Sequence, residues 1–299
     1  MEQLRNPLAG QSVSLVLGAG GARGLAHIGV IRALEKAGLE IRHIAGSSMG
    51  ALIGGIHAAG HLDAYEEWVG TLEQSHILAL IDWTFSGGGL IRGRKLIDKL
   101  VELTGHYDIE SLPMDFTAVA VDLDQGREVW LDRGPLFDAI RASIAIPGVF
   151  TPHAYRGRTL IDGGILNPVP IAPTLRAIND LVVVVDVNAP AVQPPPLKPA
   201  AEPDDDAHGM LRKVREFMNG WRDDEPEKDK RPGLMAVMMR AFDTMEATMA
   251  RHHMAIFQSD IMISVPKNAC LVHEFHRASE LIRLGEELAH EALAGYANH

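Results

Sequence analysis

Three clusters of this 299-residue chain are bordered by glycine and hold groups able to do acyl chemistry. The first is Gly46-Ser47-Ser48-Met49-Gly50, which follows the apolar run from Ile41 to Ala45 and leads into the small-residue segment Ala51-Leu52-Ile53-Gly54. A serine at the apex of a tight strand-to-helix turn sits in a strained backbone conformation. Only neighbours without side-chain bulk, here Gly46 and Gly50, let strand and helix pass so closely. The turn lifts the Ser48 hydroxyl to a helix N-terminus, where free amides and the helix dipole favour developing negative charge. The second cluster, Gly18-Ala19-Gly20-Gly21-Ala22-Arg23-Gly24, offers a row of unobstructed backbone N–H groups, as an oxyanion requires. The third, Asp162-Gly163-Gly164, puts a carboxylate before two residues that let another backbone or a substrate come close. Paired with Ser48, Asp162 supplies the base of a minimal hydrolytic machine.

Each cluster also has a plainer explanation. Gly-x-Ser-x-Gly occurs at ordinary strand–turn–helix junctions, and Asp-Gly is a common turn dipeptide. The Gly18–Gly24 loop invites comparison with a dinucleotide-binding fingerprint. In register, however, the third required glycine falls on Arg23, and the second strand ends in Gly46-Ser47-Ser48 rather than in an acid for a ribose hydroxyl. The occurrence of all three clusters in one chain favours acyl chemistry. A triad would add a histidine after the acid. His208, His252, His253, His273, His276 and His290 follow Asp162, but none stands at a glycine-flanked strand end. His27, inside a helical pattern, reads as packed or capping. A serine–aspartate dyad is therefore expected.

The elements that must position these groups are legible from periodicity. Ser12 to Leu17 reads as a buried strand, and Leu25 to Ala37 as a helix with apolar positions at 25, 28, 31 and 34 and a stop at Gly38. Residues 40 to 45 form the strand before the elbow. Residues 56 to 80 read as helical scaffolding, and 90 to 103 as an amphipathic helix. Phe116 to Val121 and Arg127 to Leu131 form one hairpin, Pro135 to Ala145 a helix, and Tyr155 to Ile161 a second hairpin delivering Asp162. The β-branched run Val182 to Val187 is a fully buried strand. Leu234 to Ile256 is a long methionine-rich helix, read as core packing or as an adaptable apolar surface. Ile261 to Val265 is a last strand and Phe275 to Ala297 a terminal helix. One domain over 1–299 is expected, its core at about 12–187 plus 261–299. Residues 190–232, rich in proline and charge, read as a mobile insertion. Gly87-Gly88-Gly89 reads as a flexible surface loop.

Composition narrows the classes. A single cysteine, Cys270, excludes an internal disulfide framework and a cysteine-based zinc site, and fits a reducing compartment. The net charge of -11 argues against a nucleic-acid partner and gives no general pull toward anionic lipid. The polar N-terminus and the short first apolar run lack the form of a signal or membrane span, so a cytoplasmic location is expected. Any membrane contact would be local, apolar, peripheral and transient.

Three ordered motifs make the chain resemble the patatin-like phospholipases, specifically their bacterial, single-domain branch. They are Leu17 to Val30 around the glycine loop, Gly46 to Gly50, and Leu160 to Gly164; Ala142 to Pro147 and Asn167-Pro168-Val169-Pro170 also match the family's habits. The resemblance runs from about Ser12 to Val187 and weakly over Ile261 to Val265. It implies an α/β fold, a three-layer α/β/α sandwich around a mainly parallel central sheet, and hydrolysis of acyl esters in phospholipids or lysophospholipids with no metal or other cofactor. Residue by residue, it implies Ser48 as nucleophile and Asp162 as general base. It assigns the Gly20, Gly21 and Ala22 amides to the oxyanion hole with Arg23 orienting the loop, and Gly46, Gly50, Gly163 and Gly164 to supporting turns. The chain departs from the family at Ala19, where many members carry glycine. The same elbow also serves acyltransferases, and the same scaffold can serve a non-catalytic regulatory module.

Overall fold

The computed structural model of the protein describes residues 8–80, 82, 84, 89–198 and 234–298. In chain order the elements are β1 (Ser12–Leu17), α1 (Ala26–Lys36), β2 (Glu40–Ser47), α2 (Met49–Ala58), α3 (Leu62–Gly70), α4 (Gln74–Ala79), β3 (Gly89–Ile91), α5 (Arg94–Thr104), β4 (Asp115–Asp122), β5 (Arg127–Leu131), α6 (Leu136–Ser143), β6 (Gly148–Phe150), β7 (His153–Tyr155), β8 (Arg158–Asp162), β9 (Leu181–Ala189), α7 (Leu234–Ile256), β10 (Ile261–Pro266) and α8 (Ala278–Ala297).

The main sheet runs β10-β9-β1-β2-β4-β8-β7, with β5 also paired to β4. From β10 to β4 every pairing is parallel; β5 and β8 join β4 antiparallel, and β7 joins β8 antiparallel. The result is an α/β fold with a mostly parallel central sheet. Burial follows this order. The interior strand β1 is buried on both faces from Val13 to Leu17, whereas β10 alternates buried and exposed residues, as an edge strand does. Val13, Leu15 and Leu17 point into the larger core with Ile28, Ile31 and Leu34 of α1, Ile53 and Ile56 of α2, Ile140 of α6 and Leu281 of α8. Val16 points to the opposite face, where Val184, Val169, Ile171 and Ala250 of α7 form a smaller cluster. Each fully buried aliphatic side chain of this kind contributes about 1.5–3 kcal/mol.

The expected helix over 90–103 is split. Residues 89–91 pair as β3 with β6, and the helix begins at Arg94 after Gly93, whose φ of 72° is left-handed. Asp82 sets that start: its two carboxylate oxygens accept from the Gly93 and Arg94 amides at 2.7 and 2.8 Å. Gly87, Gly88 and residues 199–232 of the expected insertion lie outside the described residues.

Candidate active site

The sheet register explains how residues far apart in the chain meet. In β2, Ser47 pairs with Val119 of β4; along the same edge of β4, Asp162 of β8 pairs with the next residue, Ala120, while β5 takes the opposite edge. Strands β2 and β8 approach end to end along that edge, running in opposite directions, so Ser48 and Asp162 meet where the two strands stop. Ser48 Oγ donates to Asp162 Oδ2 at 2.7 Å, and both residues are buried. The second carboxylate oxygen accepts from the Gly164 amide at 2.7 Å. Burial pushes the Asp162 carboxyl up to about 7, against the lowering effect of its bonds from Ser48 and Gly164. A carboxylate so desolvated is a stronger base than its ordinary kind.

Ser48 has φ 53° and ψ -121°, the strained turn expected from its glycine spacing. Steric contact, not flexibility, requires the glycines. A Cβ at Gly50 would run into the Leu17 carbonyl, and one at Gly46 into the Gly50 backbone. A Cβ at Gly163 would strike the Val119 carbonyl. One at Gly164 would meet Glu246 Oε1, which brings helix α7 over this turn.

The loop at residues 18–24 differs in part from the expectation. Gly18 N–H donates to Val185 O at 3.0 Å and Ala19 N–H to Pro168 O at 2.8 Å, holding the base of the loop to the sheet. The Ala22 amide is also occupied: it donates to Val272 O at 2.8 Å, because the chain after β10 folds across the loop. Among the described residues, the Gly20 and Gly21 amides have no acceptor, so the expected triplet of open amides is a pair. Arg23 lies buried beneath the loop, with Nε donating to Val187 O at 2.9 Å and Nη2 to Asn188 Oδ1 at 2.5 Å. Asn188 Nδ2 in turn donates to Ala19 O at 2.7 Å. The guanidinium thus fastens the loop rather than facing the serine.

Three participants carry no clear mark in the sequence. Ser143, the last residue of α6, is fully buried; its Oγ accepts from the Ser48 amide at 2.9 Å and donates to Val119 O at 2.6 Å. One hydroxyl therefore ties the elbow to β4, the strand along whose edge both candidate residues are delivered. Glu246 of α7 is held up to about 8 by burial first and then by the charges of Asp162 and Asp243, with Arg23 opposing. Val272 supplies the carbonyl that takes the Ala22 amide. The motif around Ser143 was visible only as part of a family-like stretch. Glu246 lay in a helix whose pattern reads as packing.

Histidine has no contact with the pair among the described residues. His27 Nε2 lies 2.8 Å from Gly18 O, and burial drives its pKa down to about 4, so the ring is neutral and acts as a prop under the loop. His253 Nε2 lies 3.1 Å from Leu166 O.

Comparison with known proteins gives the family. A family model described as patatin-like phospholipase matches residues 15–175. An uncharacterized NTE family protein of Mycobacterium bovis is 40% identical across 95% of this chain and 92% of its own length. Lysophospholipase NTE1 of Coccidioides immitis is 33% identical across 62% of this chain and 12% of its own length. Among solved structures, VipD from Legionella pneumophila matches 97% of this chain and 67% of its own, with a TM-score of 0.50 and 14% identity, a likeness of fold alone. The chain belongs to the patatin-like phospholipase family and is by class a phospholipase or esterase.

Proposed function

We propose that the protein hydrolyses acyl esters of phospholipids or lysophospholipids with Ser48 as nucleophile and Asp162 as general base. The observation that carries this reading is the 2.7 Å bond from Ser48 Oγ to Asp162 Oδ2 at a left-handed elbow. Ser48 Oγ attacks the ester carbonyl carbon as its proton passes to Asp162 Oδ2. The oxyanion takes the Gly20 and Gly21 amides, and loss of one such donor typically costs about 2.7–4 kcal/mol of barrier. As the intermediate collapses, Asp162 returns the proton to the leaving alcohol. A water then attacks the acyl-enzyme by the same route and frees the fatty acid. The lysophospholipase among the relatives supports lysolipids as the first substrates to try.

No helix among the described residues is long and apolar enough to cross a membrane. Contact with a lipid surface is proposed to be local and transient, through exposed side chains of α7 such as Val237, Met238 and Met245. A fluorophosphonate probe should label Ser48, and a lysophospholipid should yield free fatty acid. Absence of label together with absence of released acid would overturn the reading.

A further inference from the structure

A cavity of about 380 Å³ opens between α7, the turn carrying Arg23 and the segment after β10. Its size is within the range of small-ligand sites. Arg23, Arg240, Arg251 and Lys267 line it, against a single carboxylate, Asp243. That excess of positive charge stands in a chain of net charge -11. Lys267, Arg251 and Arg23 are not absorbed by carboxylates among the described residues. Among the described residues, the Lys267 amine has no hydrogen bond or ion pair, and Arg251 Nη2 donates only to the Thr248 hydroxyl, at 3.1 Å. Arg23 is fixed at the base by neutral oxygens of Val187 and Asn188. Asp243 feels the charges of Arg23 and Lys267, while desolvation moves its carboxyl upward from the usual carboxylate range.

Several donors around one concavity suit a tetrahedral anion with several oxygens. The exposed Lys267 and Arg251 stand at the rim, where positive charge draws an anion in, and Arg23 lies buried at the base. The cavity shares walls with the candidate site. Val272 lines it and also accepts the Ala22 amide, and Arg23 belongs to the same turn as Gly20 and Gly21. On α7, Glu246 over Gly164 sits between Asp243 and Arg251, so one helix borders both places.

We propose that this cavity is a phosphate subsite that receives the headgroup phosphate of the ester substrate, with Lys267 and Arg251 as its free donors. The kinetic side of the proposal rests on the hydrolase reading above; the binding side does not.

The test uses the full chain and the variants Lys267→Met, Arg251→Met and their double. Calorimetric titration with inorganic phosphate and, separately, with glycerophosphocholine measures binding. Turnover of a lysophospholipid and of a monoacylglycerol with the same acyl chain measures its use. The wild type should bind glycerophosphocholine. In the double variant, kcat/KM for the lysophospholipid relative to the monoacylglycerol should fall about tenfold or more, carried by KM, since charge-assisted bonds are lost. Lys267→Arg should keep most of the ratio. Equal losses on both esters, or no binding of either anion, would overturn the subsite. Binding of inorganic phosphate alone, with the ratio unmoved, would overturn the headgroup assignment. A wild type that binds glycerophosphocholine but cleaves neither ester would sink the hydrolase reading and leave the anion site standing.

Discussion

The two residues of the proposed dyad are delivered by different kinds of structure. Ser48 ends a strand of the parallel set and is held by contacts within its own neighbourhood: Gly46 against Gly50, and Gly50 against Leu17. Asp162 ends an antiparallel strand, and what makes it unusual comes from elsewhere, through burial beneath neighbouring segments including α7. The nucleophile is shaped by local sterics and the base by remote burial. A nucleophile needs one direction of approach, which backbone strain can set. A base needs a proton affinity, which only the surrounding dielectric and charges can set.

Removing the base should have the largest effect. Asp162→Asn should keep the fold and lower ester turnover by about 10⁴, the scale seen when a member of a serine catalytic set is lost; retained turnover in a folded variant would show that the two halves are not one device. Gly50→Ala strikes the steric half alone. A methyl group forced against the Leu17 carbonyl should cost about 3 kcal/mol, read as a lower urea midpoint, along with most of the activity. Ser143→Ala lies between the halves. It strands the Ser48 amide and the Val119 carbonyl, so about 1–3 kcal/mol of stability should go, with a loss in kcat greater than the change in KM.

The smallest and sharpest test is pH. Because the folded pKa of Asp162 is raised from 3.8 to about 7, the base is ionised, and activity should rise, as pH passes through about 7. Stability should move the opposite way. Between 3.8 and about 7 the unfolded chain holds fewer protons at this group than the native one, so its contribution falls with rising pH, and Asp162→Asn should remove that slope. Glu246 ionises only near 8, placing a second negative charge beside Asp162 and against the oxyanion. Rates should therefore decline above about 8, and Glu246→Gln should abolish that decline; an unchanged profile would remove Glu246 from the comparison.

How far the molecule could be read from sequence follows the same division. The strand at 12–17, the helix after it, both hairpins and the β-branched run at 182–187 were legible because their periodicity reports which faces are covered. The proximity of Ser48 and Asp162, 114 residues apart, was suggested by glycine at each turn. Properties made by distant segments were not legible. That the Ala22 amide is occupied depends on Val272, which reaches the loop only after the last strand has joined the sheet. The start of α5 at Arg94 depends on Asp82, 12 residues earlier in the chain. The charge around the cavity is spread over a turn, a helix and a strand-end segment, so no stretch of sequence looks basic.

Helix α7 runs without a break from Leu234 to Ile256. Along that single rod, Glu246 touches the turn below the carboxylate while Arg251, further along, borders the cavity. A rod transmits displacement rather than absorbing it, so a shift of the Arg251 turn that admits a ligand also carries Glu246, and with it the cover over the turn that follows Asp162.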